Sequence, residues 1–449
     1  MKHKQKCSLI IKNCTLLDAA FEVRPDMAIV VDGNRILDIR DSIGALDAYE
    51  ADEVIDGKNK LAMPGMVDAH THTVQQLLKG GTVDEMPIVW RRILVPYEVR
   101  MNEQDRYHAA RLYCIQALKA GVTLFADAGS MHMDGTLRAV EETGIRAVIT
   151  RVTRDVAGDL AEGSCDSTAS EAVKKCEALY KEYDGAANGK IKIWFSLSSP
   201  QSTSPELAQM VADAAEQYDT GIHVHLCEHL AEVQHCLANF KMRPTEYFDK
   251  YGLISPRLLA AHCIHITDFD IRMMAERGMS IVHCPTSNLR TQGIPKITME
   301  RASGINIALG NDGATTARQD LLAQFQLLKY VSHAVYGLPI FDPVVLPYDE
   351  CLPMCTINGA RALHMERELG TLEVGKKADI LLFNLLDPSM MPTRSLTKTL
   401  PMSGSMQNVT EVIIDGEVMI KDRQFTKLDE EEILWSGQRQ LENMLQNRT

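Results

Sequence analysis

Two histidines separated by one residue, His70 and His72, form a pair whose side chains and spacing suit metal binding. They follow an apolar run, residues 54–67, that is interpreted as leading into a buried β-strand. Alternation along a strand puts every second side chain on one face, so both imidazoles point the same way. Such a pair can hold one metal ion, provided that other strands supply the remaining ligands.

The second candidate group lies between His223 and Glu228. Alternation puts His223 and His225 on one face of a strand. His225 is nearer the strand end and is predicted as a metal ligand, whereas His223 lies one layer deeper and is expected to be a hydrogen-bonded core histidine. Glu228, three residues beyond His225, would stand beside the ion. Its alternative role is that of a carboxylate stabilising a helix N-terminus.

Two later apolar segments also end in polar side chains. His262 ends the first of them, and a polar group at the end of a buried strand needs a partner or a function. His265 is a competitor that lies beyond the strand, and His283 is a weaker candidate on the next one. Asp312, alone, would be interpreted as the turn aspartate of an Asp-Gly pair. At the end of an eighth barrel strand, opposite three histidines, it is predicted as a ligand.

Strands must position these side chains, and predicted strands occur along the chain in a regular order. From residue 61 onwards, apolar strand segments alternate with amphipathic helical segments. Eight β-then-α units predict a (β/α)8 TIM barrel, an α/β fold whose active site lies at the C-terminal strand ends. The eight predicted strands are residues 61–72, 122–127, 146–151, 191–198, 221–228, 258–263, 280–285 and 306–312.

Short strand segments flank this barrel on both sides, and Asp32-Gly33-Asn34 between two of them indicates a hairpin. We expect one small β-sandwich domain built from both chain ends, because each end alone has too few strands for a stable sheet. The predicted divisions are residues 1–63 for the N-terminal part of the β-sandwich, 64–365 for the barrel, and 366–449 for the C-terminal part with a charged terminal helix.

Composition narrows the class of protein. The 449 residues are 45% hydrophobic and 24% charged, which is ordinary for a globular protein. A formal net charge of -13, without a sustained basic run, disfavours binding to nucleic acid or to an anionic membrane. Eleven scattered cysteines without a C-x-x-C pair predict reduced thiols in a cytoplasmic protein. No apolar stretch approaches the roughly 20 residues needed to span a bilayer.

The candidate residues belong to a set of motifs that extends through nearly the whole chain. It resembles the amidohydrolase superfamily, in the branch of mononuclear aminohydrolases that includes methylthioadenosine/S-adenosylhomocysteine deaminases, 8-oxoguanine and pterin deaminases, and triazine hydrolases. The motifs are Pro64-Gly65 through His72, Ala120-Gly121-Val122-Thr123, the His225/Glu228 pair, residues 259–262, His283-Cys284-Pro285-Thr286-Ser287-Asn288, Asp312-Gly313, and Gly375-Lys376-Lys377-Ala378-Asp379.

The resemblance implies one divalent metal ion, and three imidazoles with a carboxylate suit Zn(II) or Fe(II). Its ligands would be His70, His72, His225 and Asp312. The ion would lower the pKa of a bound water, whose proton Asp312 would take. Glu228 would protonate a ring nitrogen, and His262 would polarise the nucleophile and stabilise developing charge. No lysine ends the fourth strand, which disfavours the binuclear members that bridge two metals with a carbamylated lysine.

Substrate recognition follows the family pattern less closely. Nucleoside deaminases of the branch have a glutamate in the loop after the first strand. The corresponding residues 86–91 have none, and Glu98 lies after Pro96, so the sequence argues against a nucleoside. Gln75 has the spacing from His72 seen in triazine hydrolases. The predicted substrate-binding residues are Gln75, Trp90, Tyr97 and His283, with the two aromatic rings either stacking on a flat heterocycle or packing the loop.

The sequence therefore predicts a metal-dependent hydrolytic deaminase of an amino-substituted N-heterocycle, such as a purine, pterin or triazine-like ring. One alternative is methylthioadenosine or S-adenosylhomocysteine as substrate, and another is displacement of a halide or alkylamine from a triazine-like ring. A metal-free scaffold is disfavoured, because every ligand is present. A homo-oligomer acting on a small molecule is expected.

Overall fold

The structure is a computed structural model that describes residues 4–82, 84–85, 88–313, 318–342 and 344–447. Residues 86 and 87, in the loop compared above with nucleoside deaminases, lie outside the described residues. In chain order the strands are β1 (Gln5–Leu17), β2 (Val23–Asp32), β3 (Arg35–Asp41), β4 (Tyr49–Asp56), β5 (Lys60–Pro64), β6 (Met66–His72), β7 (Val122–Ser130), β8 (Arg146–Arg151), β9 (Ile191–Leu197), β10 (Ile222–Leu226), β11 (Leu258–His262), β12 (Ser280–His283), β13 (Asn306–Leu309), β14 (Asp312–Gly313), β15 (Ile380–Asn384), β16 (Val409–Ile414), β17 (Glu417–Lys421) and β18 (Gln424–Phe425).

Helices follow most of the central strands, as the alternation of strand and helical segments predicts. The α-helices are α1 (Ser42–Ala48), α2 (Val95–Arg100), α3 (Glu103–Lys119), α4 (Asp134–Thr143), α5 (Ala169–Tyr183), α6 (Ala186–Gly189), α7 (Pro205–Gln217), α8 (Leu230–Phe240), α9 (Pro244–Lys250), α10 (Asp268–Arg277), α11 (Pro285–Thr291), α12 (Ile297–Ser303), α13 (Leu321–Ser332), α14 (Cys351–Cys355), α15 (Ile357–Ala362), α16 (Leu396–Ser403) and α17 (Glu430–Asn447). Within the described chain, none of them combines the length and the apolar composition of a membrane span.

Strands β6 to β14 form a closed parallel barrel. They pair in the order β13-β12-β11-β10-β9-β8-β7-β6-β14, so β14 lies against the first barrel strand and closes the ring. Small apolar side chains such as Ala69, Ala126 and Ala308 fill the interior. The opposite strand faces pack on the surrounding helices, as in the cluster that contains Ile222 and Leu258. The fold class predicted from the sequence is confirmed.

The eighth barrel strand is broken, which corrects the continuous strand predicted at 306–312. It ends at Leu309 and resumes at Asp312, so β13 and β14 are its two pieces. A Cβ atom on Gly310 would lie 2.8 Å from the His70 carbonyl oxygen, so only glycine permits this close approach. Asn311 meanwhile donates from its backbone N and its Nδ2 to the buried carboxylate of Asp68, at 3.0 and 2.8 Å.

The second sheet is drawn from both chain ends, as expected. Its order is β18-β17-β16-β15-β5-β1-β2-β3, with β4 paired to β1, and β15 joins the two ends by running antiparallel to β5. The terminal helix α17 packs instead on barrel helix α3, where Arg111 Nη2 lies 3.0 Å from Glu432 Oε2. The exact residues at which the sequence divides the chain into domains stay a prediction.

A buried ion pair connects the barrel to this sheet. Arg146, the first residue of β8, donates from Nε to Asp379 Oδ2 at 2.8 Å and from Nη2 to Asp379 Oδ1 at 3.1 Å. Its guanidinium also pairs with Asp415, and the side chain of Arg146 is only 1% exposed. Asp379 and Asp415 follow the barrel in sequence, so this cation bonds segments more than two hundred residues away.

We predict that Arg146→Met lowers the free energy of unfolding by about 3–5 kcal/mol, because the buried Asp379 carboxylate loses its cation, while Asp415 retains Lys377 at 3.4 Å. The matched control is Lys421→Met, which removes the exposed pair between Lys421 and Glu53 (49% and 44% exposed) in the same sheet. That change should cost less than about 1 kcal/mol. Urea unfolding of both variants measures the difference, and equal losses would contradict the assigned role of Arg146.

Candidate metal centre and substrate cavity

Four side chains converge at the C-terminal mouth of the barrel. His70 and His72 come from β6, His225 from β10 and Asp312 from β14. Asp312 Oδ1 lies 3.4 Å from His70 Nε2 and 3.4 Å from His72 Nε2, and the Nε2 atoms of His72 and His225 are 3.3 Å apart. A tetrahedral ion about 2.0–2.1 Å from each ligand nitrogen or oxygen holds its ligands roughly 3.4 Å apart. The measured distances fit that geometry.

Hydrogen bonds fix which nitrogen of each imidazole faces the centre. His225 Nδ1 donates to the Ser198 carbonyl at 2.9 Å, which leaves Nε2 as the free donor atom. His70 Nδ1 lies 2.8 Å from His223 Nε2, which leaves His70 Nε2 facing Asp312 Oδ1 at 3.4 Å. His223 therefore stands behind His70 as a supporting side chain. Support of this kind orients metal-ligating histidines in proteins.

Burial sets the charge of the centre. It lowers the pKa of His70 to about 4 and lowers the pKa of His225 well below the ordinary value, with neighbouring imidazoles adding to the effect. Burial acts to raise the pKa of Asp312, but hydrogen bonding to His70 and the adjacent His262 hold it well below the usual range. His70 and His225 are therefore neutral and the Asp312 carboxylate is ionised near neutral pH, which are the forms that bind a divalent ion.

His262 reaches the same centre from β11. A ring nitrogen of His262, a ring nitrogen of His70 and a carboxylate oxygen of Asp312, each able to bind a metal ion, lie within 4.8 Å of one another. Both His262 and Asp312 adopt positive φ angles, 76° and 60°, which are uncommon for residues other than glycine. These backbone turns end the regular alternation and direct both side chains into the mouth of the barrel.

A short chain of amides connects His262 to Glu228. Asn288 Nδ2 donates to His262 Nδ1 at 2.9 Å and to Gln292 Oε1 at 2.8 Å, while Asn288 Oδ1 accepts from the Cys284 backbone N. Gln292 Nε2 in turn donates to Glu228 Oε1 at 2.7 Å. Every amide orientation in this chain is set by its partners, so His262 Nδ1 accepts from Asn288 and the other ring nitrogen, Nε2, faces the cavity. We call Asn288 and Gln292 the amide relay.

Glu228 lies on the cavity wall beyond the end of β10. Its Oε1 is 3.8 Å from His262 Nε2 and 3.1 Å from His229 Nε2. Burial acts to raise the pKa of Glu228, but His262 and His229 hold it below the ordinary value. Behind it, Glu232 accepts from the backbone N of Cys227 and of Glu228 at 2.6 and 3.1 Å. Burial raises the pKa of Glu232 to about 8.

His72, His225, Glu228, His262 and Asp312 border one cavity of about 330 Å³. Gln75 and Trp90, two of the predicted substrate-binding residues, line it, and the Arg91 guanidinium covers the Trp90 ring at 5.3 Å. The lining residues near the metal ligands also include Ser198, Glu228, His229, Glu232, Gln292 and Gly313.

Two predicted substrate-binding residues lie elsewhere. Tyr97 is buried in a small apolar cluster with Val74 and Leu77. His283 Nε2 lies 2.7 Å from Glu300 Oε2, and its Nδ1 lies 3.0 Å from the His262 carbonyl. Val282 faces the barrel interior, so alternation turns His283 outward to α12. Neither side chain reaches the cavity.

Two further residues line the cavity that sequence reasoning missed. Glu98, set aside because it follows Pro96, reaches it from α2 and accepts from Gln75 Nε2 at 3.1 Å. Arg154, just after β8, is the second. The position of Arg154 just after the C-terminal end of a barrel strand could have indicated that it lies near the active site. The position of Glu98 could not be predicted in this way, because it depends on the path of the preceding loop. The glutamate argument against a nucleoside therefore does not hold.

Comparison with known proteins agrees with this geometry. Residues 61–419 match the amidohydrolase family. The chain belongs to the amidohydrolase family. It is 32% identical over 431 residues to a 5-methylthioadenosine/S-adenosylhomocysteine deaminase of Moorella thermoacetica, covering 95% of this chain and 97% of that protein. It is 33% identical over 435 residues to a 5'-deoxyadenosine deaminase of Methanothermobacter thermautotrophicus, covering 95% and 96%.

A solved structure shares the whole architecture of this amidohydrolase. An adenosine deaminase from Xanthomonas campestris with bound zinc superposes with a TM-score of 0.91 at 25% identity, covering 99% of this chain and 100% of that one. Together with the converging donor atoms, this similarity supports a site for a divalent metal ion. The protein is therefore a hydrolase of this family, with a metal site at the mouth of its barrel.

We predict that His70→Ala and Asp312→Ala each abolish stoichiometric metal binding, because each removes one of four converging donor atoms. His364→Ala is the matched control, since that histidine contacts the Pro256 carbonyl and stands outside the metal centre. Elemental analysis of the purified variants gives the metal content. Retention of about one metal ion per chain in Asp312→Ala would show that Asp312 is not a ligand.

Proposed function

We propose that this amidohydrolase is a metal-dependent hydrolytic deaminase of an amino-substituted N-heterocycle, such as a purine, pterin or triazine-like ring. Water adds to the amine-bearing ring carbon, the carbon–nitrogen bond breaks, and ammonia leaves behind a ring oxo group. The observation that carries this proposal is that His72, His225, Asp312 and the Glu228 carboxylate line one cavity of about 330 Å³, with His70 converging on the same donor atoms. A flat heterocycle in that space meets a nucleophile and a proton carrier together.

The proposed ligands are His70, His72, His225 and Asp312, with Zn(II) as the ion and Fe(II) as the alternative, since both suit imidazole and carboxylate donors. A bound divalent ion supplies a water of lowered pKa as nucleophile near neutral pH. Asp312, beside that position, accepts the proton of the attacking water. His262 presents its Nε2 proton to the cavity and stabilises the oxygen that carries developing charge.

Glu228 is the proposed proton carrier for the ring. It stands beyond β10 and therefore outside the donor set, close enough to His262 to face the same substrate. Protonating the ring nitrogen next to the amine-bearing carbon makes that carbon electrophilic and avoids a localised negative charge. The attacking water supplies two protons: Glu228, ionised at the start because its pKa is lowered, takes one and delivers it to the ring nitrogen, and the one held by Asp312 passes to the departing amine, which leaves as ammonia.

A second candidate substrate class is an adenosine-type nucleoside. It is favoured by the names of two relatives, a 5-methylthioadenosine/S-adenosylhomocysteine deaminase and a 5'-deoxyadenosine deaminase. It is also favoured by Glu98, whose carboxylate on the cavity wall could accept hydrogen bonds from sugar hydroxyls. Ammonia release across a panel of aminopurines, nucleosides, pterins and triazines tests the reaction. No release from any of these substrates by the metal-loaded enzyme would overturn the proposal.

We predict that Glu228→Gln keeps about one metal ion per chain while kcat falls by roughly 10²–10⁴-fold. Glutamine keeps the size and most of the hydrogen bonding, but it cannot exchange a proton. His225→Gln, the contrasting variant, should lose the metal. Metal content and kcat measured on the same preparations separate the two roles. Loss of metal from Glu228→Gln would instead identify Glu228 as a ligand.

The amide relay gives a separate prediction. Asn288→Leu removes the donor to His262 and releases Gln292, so kcat should fall by roughly 10- to 100-fold while KM and metal content change little. Asn306→Leu is the matched control, because that amide bonds to Ser280 at the opposite end of the barrel. Steady-state kinetics measure the split between kcat and KM. A rise in KM alone would mean that the relay shapes the cavity and does not orient the reacting groups.

A further inference from the structure

Arg154 is a buried cation that lines the cavity with most of its donors unused. Its side chain is 7% exposed, Nε donates to Ser198 Oγ at 2.8 Å, and Nη1 donates to the Ser164 carbonyl at 3.3 Å. A guanidinium has five N–H donors, so these bonds leave three without an acceptor in the described chain. Among the described residues, no carboxylate lies within ion-pairing distance of it.

Nearby arginines are paired, which makes Arg154 different. Arg151, three residues earlier, makes two 2.8 Å bonds to Asp166, and Arg91 on the cavity rim lies 2.7 Å from Asp159. Asp166 Oδ1 also forms an ion pair with Lys175 Nζ, at 2.9 Å. Burying a charge is costly unless it is paired and hydrogen-bonded. A cation left open towards a cavity is therefore suited to an acceptor that arrives with the ligand.

Ser198 connects Arg154 to the proposed metal centre. Its hydroxyl accepts from Arg154 Nε, and its carbonyl accepts from Nδ1 of His225, a proposed metal ligand. Arg154 therefore borders the part of the cavity beside the metal centre. The amine-bearing ring carbon must lie in that part to meet the nucleophile. A ring in that part of the cavity brings its own acceptor atoms towards Arg154.

We infer that Arg154 makes the enzyme selective for heterocycles whose ring carries an oxo group, an inference that rests on the proposed deamination. The planar guanidinium fork matches an oxo oxygen beside a ring nitrogen acceptor, as in the paired contact of arginine with the O6 and N7 atoms of guanine. A ring that lacks the oxygen leaves the buried cation unpaired. The substrate class is narrowed to oxo-substituted aminopurines, aminopterins or aminopyrimidines.

The test compares ring pairs that differ only in the oxo group: isoguanine with adenine, and guanine with 2-aminopurine, each as base and as nucleoside. The metal-loaded enzyme should prefer the oxo member by roughly 10- to 100-fold in kcat/KM. Arg154→Met should bring this ratio close to one, and Arg154→Lys should restore part of it. An unchanged ratio in Arg154→Met, or a wild-type preference for adenine, would overturn the inference.

Arg151→Met is the matched control, because it removes an equally buried arginine that does not line the cavity. It should leave the preference ratio unchanged even where stability falls. Methylthioadenosine and S-adenosylhomocysteine form another arm of the test. If Arg154→Met lowers kcat/KM for S-adenosylhomocysteine alone, the guanidinium binds the distant carboxylate of that substrate and the inference is wrong.

Binding without turnover separates this inference from the proposed reaction. Hypoxanthine and purine differ by one oxo group and carry no amine. Calorimetry with the metal-loaded enzyme should show tighter binding of hypoxanthine, and this difference should disappear in Arg154→Met. If that holds while no panel compound releases ammonia, the deaminase proposal fails and oxo recognition stands. If ammonia is released without any oxo preference, oxo recognition fails and the deaminase proposal stands.

Discussion

Asp68 holds the barrel closed at the point where the metal ligands must meet. The ladder between β6 and β14 is two residues long, Asp312 with Thr71 and Gly313 with His72. Just before it, the buried Asp68 carboxylate accepts two hydrogen bonds from Asn311 and one from the Tyr113 hydroxyl at 2.9 Å. These bonds span the break in the eighth strand. They bring Asp312 beside two histidines some 240 positions earlier in the sequence.

Burial then gives the centre its electrostatic character. Desolvation keeps His70 and His225 neutral, whereas Asp312 stays ionised because imidazoles surround it. In the proposed site, three neutral ligands and one carboxylate leave a divalent ion with a net positive charge. That residual charge is what lowers the pKa of a coordinated water. Additional anionic ligands would neutralise the ion, so it matters that Glu228 stands beyond the donor set.

Sequence reasoning succeeded where strand geometry alone decides the outcome. The eight strands, the shared face of His223 and His225, and the origin of the second sheet in both chain ends all follow from period-two alternation and strand counting. The broken eighth strand was missed because the close approach of Gly310 to His70 exists only once the ring has closed. His283 was misplaced although alternation was sufficient to turn it away from the interior.

Loop residues were harder to predict for a different physical reason. Glu98 and Arg154 reach the cavity through backbone paths that depend on tertiary packing, and no local periodicity encodes such paths. Tyr97 lies next to Glu98 in sequence, yet one residue packs inside an apolar cluster while the other faces the cavity. The positive φ angles of His262 and Asp312 likewise cannot be deduced from residue type.

Ser198 shows how metal binding and substrate choice can vary separately in one barrel. Its contact with His225 uses the backbone carbonyl, so any residue at this position could orient the ligand. Its contact with Arg154 uses the hydroxyl, so that bond requires this side chain. Substitution at position 198 can therefore change how Arg154 is held without removing the bond that orients His225. The strand ends supply the metal site through backbone geometry, and side chains on the same residues remain available to adapt the cavity to another ring.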